Sequence, residues 1–572
     1  MVWTELTDGL KQACARCGFE VAGARIELAI PRESAHGDWT TNLAMTLAKP
    51  LRQPPRQIAE AIARAFPLGS GNFAPPEVAG PGFLNFRYTP AFLERLPARI
   101  ARESARFGES DFGGGEAVLV EYVSANPTGP LNVVSARAGA VGAALVRLLR
   151  ATGYAAEGEF YVNDAGLQVE LLGSSLLARF AEKTGGTAEF PENGYRGAYL
   201  HDLAAELPET EARAALAAGD TAWFRDQALT RILAWQQRDL ADYGAEFARW
   251  FCESSLHQSG AVMEALAALE ARGVTYRARK PETDNSGVEP EAQEEETGGA
   301  EATFLRTSAY GDDKDRVVRK SDGTPAYLLP DIAYHRDKRA RGFRRAIDLW
   351  GPDHHGYVSR MKAAMRALGL EEDFLEILIV QQVNLLAGGQ PVKMSKRAGE
   401  FISLRELMDE VGADCSKFFF LLRSTGAHLD FDLDLAKRQN DENPAYYVQY
   451  AHARISALLR FAAEKSLEPA LGEVKLGAPE ELALVRKLAT FPEVVRGAAA
   501  AREPHRIPTF LMETAAEFHR FYHACRVVGD DAGESRARLA VAAASRHVLA
   551  NGLALMGVSA PERMERAVEI PA

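Results

Sequence analysis

Cysteine is scarce in this chain of 572 residues. The five present, Cys14, Cys17, Cys252, Cys415 and Cys525, are odd in number and scattered, which excludes a disulfide framework. Cys14 and Cys17 form a CxxC, but no second pair or nearby histidine accompanies them, so they read as isolated thiols on a helix rather than a zinc site. No apolar run approaches a membrane span, and the opening MVWTELTDGLKQ has neither the basic segment nor the apolar core of a secretory leader. The expectation is a cytoplasmic protein with no membrane partner. An excess of positive charge is also missing. The formal net charge of −12 argues against indiscriminate binding to nucleic acid, but local potential governs contact, so an RNA partner stays open. From Asp441 onward the net is only −1, and five of the twelve histidines lie there. That distribution fits a tail facing something anionic and fits a mixed-charge helical surface equally. With 47% hydrophobic and 25% charged residues, the composition is that of a globular protein long enough for three or four domains.

What is present is clearest between Glu121 and Arg150, EYVSANPTGPLNVVSARAGAVGAALVRLLR. Val118, Leu119, Val120, Tyr122 and Val123 form a short apolar run, as in a strand buried on both faces of a parallel sheet. Asn126 to Pro130 break it, and Ala136, Ala140, Ala143 and Ala144 with Val141, Leu145 and Leu148 then recur at helical spacing. Small residues on the inner face let such a helix approach a sheet closely. Strand, turn and helix N-terminus together put free N–H groups where open α/β folds hold nucleotide phosphates. Read alone, the stretch fits an ordinary βα unit equally well.

A second segment lies about 260 residues downstream. PVKMSKRAGE sets Lys393 and Lys396 on either side of Met394 and Ser395, next to Arg397, Ala398 and Gly399. Two ammonium groups on a glycine-bordered loop suit closure over a triphosphate and neutralisation of a departing pyrophosphate. Together the two segments resemble the paired signatures of class I aminoacyl-tRNA synthetases. The likeness extends to SANPTGPL, YVNDAG, GDDKDRVV, YLLPDIAYH, DHHGY and RAGEFISLRELMDEVGAD, and over nearly the whole chain it is to the bacterial arginyl-tRNA synthetase family.

The resemblance implies an α/β catalytic domain with a doubly wound, Rossmann-like parallel sheet, a small N-terminal α/β domain and a C-terminal all-α bundle. The corresponding ranges are 1–107 for a tRNA-contacting appended domain, 116–436 for the catalytic domain with a helical insertion at about 171–300, and 437–572 for an anticodon-binding domain. It also implies ligation of L-arginine to tRNA(Arg) through arginyl-adenylate, with activation itself requiring bound tRNA. ATP is consumed, with Mg²⁺ carried on its phosphates and no dedicated protein metal site, and the chain is expected to work as a monomer.

The first signature departs from the family. Its His-x-Gly-His form is replaced by Asn132, Val133, Val134 and Ser135, so both imidazoles are absent. Asn132 and Ser135 can still donate hydrogen bonds, but neither carries a proton charge. This keeps an alternative in view: a non-catalytic or altered paralogue that binds arginine or tRNA. Catalytic roles are expected of Lys393, Lys396, Asn132 and Ser135. ATP contacts are expected from those four with Gly129, Asp353, His354, His355, Met394 and Ser395.

A guanidinium calls for rigid carboxylates. Under the resemblance, arginine is held by Glu121, Ser124, Asn126, Tyr327, Asp331 and Tyr334. The bland alternative is that Asp331 caps its helix or pairs with His335 or Lys338.

Other stretches carry local expectations. In the first 101 residues, amphipathic segments alternate with strand-like Ile26–Ile30 and Phe83–Tyr88, and Asp38 or Thr40 is a candidate helix cap. Helices are expected from Leu171 to Arg272, with Trp223, Trp235, Trp250 and Phe251 in the core, followed by an acidic surface loop to Ala300. Arg336 to Arg345 carries six basic residues and one acid, a phosphate grip or a solvated face. From Asn443 an aromatic-rich helix opens the C-terminal bundle.

Overall fold

The computed structural model describes residues 2–20, 26–31, 33–279, 301–392 and 402–564. The acidic run expected as a loop and the last eight residues lie outside them.

Near the N-terminus, β1 (Trp39–Thr41), β2 (Glu77–Ala79) and β3 (Phe83–Phe86) form an antiparallel sheet in the order β1-β3-β2. Helices Val2–Arg16, Leu43–Leu51, Pro55–Ala65 and Pro90–Glu103 accompany it, contributing buried Leu6, Leu10, Leu47, Ile58 and Ile62 to a common core. Two local expectations change. Ile26–Ile30 supplies a single bridge, Ala29 to Thr40, rather than a strand. Asp38 and Thr40 are not helix caps. Trp39 and Thr41 are both buried, a period of two that makes this segment a strand. Asp38 instead accepts from the Tyr88 N–H at 2.7 Å and pairs with Arg486 of the C-terminal bundle at 3.2 Å.

The central sheet is built from β4 (Ala117–Glu121), β5 (Ala155–Val162) and β6 (Arg249–Cys252). A small antiparallel sheet follows, β7 (Thr275–Arg279), β8 (Glu301–Leu305) and β9 (Arg316–Arg319), and then β10 (Arg345–Trp350) and β11 (Leu375–Ile379) complete the central one. Its order is β11-β10-β4-β5-β6 with every pair parallel. The order reverses direction between β4 and β10, and the crevice beyond the carboxyl ends of those strands is where open α/β sheets take ligands. β6 lies inside the range read as helical. Its four residues, RWFC, are too few to break the surrounding helical pattern, and pairing with β5 makes the strand. Of the aromatic residues expected there as core, Phe251 is buried, while Trp223, Trp235 and Trp250 are half-buried.

The helix after β4 runs from Val133 to Ala151 and lies close to the sheet. A Cβ at Gly142 would come within 2.1 Å of the Tyr122 ring, so glycine is required there. Its Arg137, fully buried, donates to the carbonyls of Gln381 (2.8 Å), Gln382 (3.3 Å), Ser424 (2.9 Å) and Ala427 (2.9 Å). These carbonyls flank a fourth sheet, β12 (Val383–Ala387), β13 (Gln390–Pro391) and β14 (Leu429–Asp432), with β12 between the other two.

The C-terminal part is all helical, Pro444–Glu464, Pro479–Ala489, Phe491–Ala501, Arg506–Ala524 and Ala532–Met556. The last of these is long and apolar enough to match a membrane span by composition, but two-thirds of that stretch is buried against its neighbours, as in a bundle's core helix. The N-terminal part packs on this bundle. Trp3 N–H donates to Glu493 at 3.1 Å, and Asn551 donates to the carbonyls of Ser104 and Phe107 at 2.8 and 3.0 Å.

Candidate active site

β4 ends in a sharp kink. Glu121 and Tyr122 are buried, and the next two residues, Val123 and Ser124, stand at φ 69° and 37°, in the left-handed region that a β-branched residue seldom enters. The kink turns the Ser124 hydroxyl back to donate to Glu121 Oε1 at 3.0 Å while it accepts from the Tyr161 N–H at 3.1 Å. The turn that follows is held from the helical insertion. Gln236 Nε2 donates to the carbonyls of Gly129 and Asn126 at 3.0 and 3.3 Å, and the Tyr199 hydroxyl donates to the Thr128 carbonyl at 2.5 Å. Asn126 is exposed and donates to Gln168 Oε1 at 2.8 Å.

Asn132 caps the helix. Its Oδ1 accepts from the N–H groups of Val134 and Ser135 at 3.0 and 3.1 Å, and from the Ser135 hydroxyl at 3.4 Å. The carbonyl half of the amide and the hydroxyl are thus turned toward each other, and the Asn132 amide NH₂ takes no part in the cap. Asp353, His354 and His355, after β10, are exposed in a one-turn helix at the mouth of the same crevice. Lys393, Met394, Ser395 and Lys396 lie outside the described residues. The chain on their C-terminal side is tied to the first signature. Asn132 and Ser403 form a backbone bridge, and Leu404 N–H donates to the Leu131 carbonyl at 2.8 Å. Ser403 then caps helix Leu404–Val411 in a box with Glu406, and Arg405 grips Asp239 of the helical insertion through two N–H groups at 2.7 and 3.0 Å.

The residues expected to meet arginine are arranged around helix Leu328–Ala340. Tyr327, at its N-terminal end, is 79% exposed and presents its ring to solvent. Asp331 accepts from the Tyr357 hydroxyl at 2.9 Å. Burial pushes its carboxyl up to about 6, and the nearby Glu253 and Glu121 carboxylates add to the rise against the pull of His335 and the Tyr357 hydroxyl. Asp331, Glu121 and Glu253 therefore share one electrostatic neighbourhood, an anionic cluster at the carboxyl end of the sheet. Tyr334 is buried and donates to Glu159 Oε1 at 2.7 Å.

His335 has acceptors at both ring nitrogens, the Asp331 carbonyl oxygen at 2.7 Å and Asp348 Oδ2 at 2.8 Å. Beside it, the fully buried Lys338 ammonium lies 2.6 Å from Glu121 Oε2 and 2.8 Å from Asp348 Oδ1. The Lys338 charge, with the His335 contact, holds the Asp348 carboxyl down at about 2 despite its burial. The pairing of Asp331 with Lys338 is thus replaced by one with Tyr357.

The basic run Arg336 to Arg345 is knitted into ion pairs, with the Arg336, Arg339 and Arg344 side chains still open to solvent. Every one of its six cations has an acidic partner: Arg336 with Glu264, Lys338 with Glu121 and Asp348, and Arg339 and Arg344 with Glu371. Arg341 joins Glu159, and Arg345 joins Glu116 and Asp373. Sequence reasoning missed Lys338, Glu159, Tyr357 and Glu253 as parts of the site. Their partners are distant along the chain, so no local spacing marks them. Among the described residues, no group of three or more His, Cys, Asp or Glu is placed to hold a metal ion.

Comparison with known proteins adds an independent line. Residues 4–88 match the family described as "Arginyl tRNA synthetase N terminal domain", residues 103–417 "tRNA synthetases class I (R), catalytic domain", and residues 448–564 "DALR anticodon binding domain". The chain is 45% identical to the arginine–tRNA ligase of Syntrophotalea carbinolica over 94% of its own length and 95% of that protein's. It is 44% identical to that of Symbiobacterium thermophilum over 98% of each. Among solved structures, a putative arginyl-tRNA synthetase from Campylobacter jejuni is 33% identical, with a TM-score of 0.74 over 83% of this chain and 100% of that one. The Thermus thermophilus arginyl-tRNA synthetase, 24% identical, superposes with a TM-score of 0.76 over 99% and 100% and speaks to the fold alone.

Proposed function

The chain belongs to the arginyl-tRNA synthetase family and is an arginine–tRNA ligase, and from that premise we propose how its residues divide the work. The arginine carboxylate attacks the α-phosphate of ATP, forming arginyl-adenylate and releasing pyrophosphate. A hydroxyl of the terminal ribose of tRNA(Arg) then attacks the acyl carbon and releases AMP. No bond to the enzyme is needed, so catalysis rests on placement and charge.

In this reading Asp331 takes the guanidinium, with Tyr327 over it. Glu121, Ser124 and Asn126 meet the remaining polar groups of the amino acid. The helix N-terminus at Val133, with the Asn132 amide, Gly129 and the Asp353–His355 turn, faces ATP. Lys393 and Lys396 neutralise the triphosphate, and Mg²⁺ arrives on its phosphates. What carries the reading is the cluster of Asp331, Glu121 and Glu253 carboxylates next to a capped helix N-terminus at the sheet's switch point. A guanidinium and a phosphate are thereby served from one crevice.

The N-terminal and helical domains are assigned to tRNA, and the chain is taken to work as a cytoplasmic monomer. Arginine-dependent ATP–pyrophosphate exchange, with and without tRNA, is the test. Exchange that depends on tRNA is expected; its absence in a preparation that still binds arginine would overturn the reading.

A further inference from the structure

Three carboxylates stand side by side across the central sheet. Glu159 of β5, Glu121 of β4 and Asp348 of β10 are register partners, and all three are buried. One helix answers them all. Tyr334 and the cap residue Arg341 take Glu159, His335 takes Asp348, and Lys338 joins Asp348 to Glu121. Glu159 and Asp348 are fully enclosed; Glu121, the last residue of β4, is the member that keeps some exposure, 8%.

We propose that Lys338 is a positioning residue for arginine, its ammonium holding the Glu121 carboxylate in one fixed orientation toward the substrate. The inference rests on the reading that Glu121 belongs to the arginine pocket.

The geometry leaves Lys338 no other task. Its ammonium is fully buried, two of its three protons are directed to Glu121 Oε2 and Asp348 Oδ1, and the Tyr334 ring lies 4.2 Å away on another side. Glu121 is pinned at both oxygens, Oε2 by Lys338 and Oε1 by the Ser124 hydroxyl, so its free lone pairs point in fixed directions. Burial raises the Glu121 carboxyl and the Asp348 charge adds to the rise, while the Lys338 ammonium and His335 oppose both. Without the lysine the carboxyl would be favoured in its neutral form and would hold a cationic substrate poorly. The same helix carries Asp331 two turns earlier, so anchoring Lys338 to the sheet also fixes the guanidinium partner.

The test uses the full-length enzyme with tRNA and reads arginine-dependent pyrophosphate exchange. Lys338→Met is expected to raise the arginine KM at least tenfold and leave the ATP KM within twofold. Because removing one charge from a buried set can impair folding, the charge-balanced K338M/D348N variant is measured alongside. Its unfolding midpoint is expected nearer the parent's, with the arginine KM still raised. KM does not depend on the folded fraction, so a variant that loses only kcat, or whose arginine KM stays within twofold, overturns the proposal. Glu121→Gln separates the two levels. An unchanged arginine KM in that variant removes Glu121 from the pocket and the premise with it. A raised one, with K338M/D348N normal, removes only the role given to Lys338.

Discussion

Asn132 and Ser403 meet as an isolated antiparallel bridge, so the turn that opens the first signature helix and the chain leaving the second signature are joined through their backbones. The adjacent bond from Leu404 N–H to the Leu131 carbonyl extends the join to a second pair of residues. Position 132 therefore sits at two places at once, at the helix cap and beside the chain that leaves the dilysine segment, and the proposed function adds a third, the ATP side of the crevice.

That arrangement separates the two residues standing where the family has histidines. Asn132→Ala removes the cap of a 19-residue helix, a loss of about 1 kcal/mol, and with it the free amide donor. Ser135→Ala removes a hydroxyl already directed at Asn132. Pyrophosphate exchange at subsaturating ATP is expected to fall at least tenfold in the first variant and less than threefold in the second. The reverse order would show that Ser135 carries the phosphate contact.

Gly142→Ala is expected to destabilise the catalytic domain although it adds one methyl group. The new Cβ would sit 2.1 Å from Cγ of the buried Tyr122, whose hydroxyl is tied to the Glu246 carbonyl at 2.7 Å and whose ring stacks on Phe247. Neither side can yield cheaply, and overpacking of this kind costs about 1–3 kcal/mol. Denaturant unfolding should show it, with Gly139→Ala, whose Cβ meets only ordinary contacts of 3.6 Å, close to the parent.

The strand, turn and helix between Val118 and Arg150 were legible because their signals are local: a continuous apolar run, a Pro/Gly break, and small residues at helical spacing. β6 was not, because four residues between a 23-residue helix and a six-residue one carry no periodicity and owe their strand conformation to Glu159–Val162 alongside. The candidate arginine residues were found through resemblance, and the structure sorts them by depth. Tyr327 and Asn126 are exposed, Asp331 is half-buried, and Glu121 and Tyr334 are buried. The fate of the basic run after Asp331 was hidden for a different reason. A lysine two turns along an amphipathic helix reads as solvated unless one knows that Glu121, 217 positions earlier, arrives opposite it.

Arginine capture is expected to be pH-dependent through Asp331. Its carboxyl is raised to about 6, so the free enzyme holds it increasingly protonated as pH falls through that value, and only the ionised form attracts a guanidinium. The kcat/KM for arginine should be flat above about pH 7 and drop below 6 with a slope approaching one. Asp331→Asn should lower kcat/KM throughout by roughly 30- to 150-fold, the worth of a charged hydrogen bond at about 2–3 kcal/mol, and should erase that acidic limb. A limb that persists in the variant assigns the titration elsewhere, with Glu253 the next group to replace.

Arg137 tests how the two signature regions are held in register. Its guanidinium is fully buried, and the four groups it meets are all backbone carbonyls, of Gln381 and Gln382 entering β12 and of Ser424 and Ala427 before β14. Burial alone lowers its pKa to about 10, still far above neutrality, so the cation persists and each carbonyl receives a charged donor. Arg137→Leu would take the charged donor from all four carbonyls, of which Gln382 and Ser424 keep a backbone N–H from Leu429 and Ala427, and would put an apolar side chain among them, a loss of about 2–3 kcal/mol. Arg137→Lys, with three donors, should recover part of it. The helix bearing Arg137 also bears the Asn132 cap, and β12 leads toward the dilysine segment. The surviving activity of the Lys variant is therefore expected to show a raised ATP KM with an arginine KM near that of the parent. Equal changes in both constants would mean that Arg137 supports the fold as a whole rather than the spacing of the ATP-binding elements.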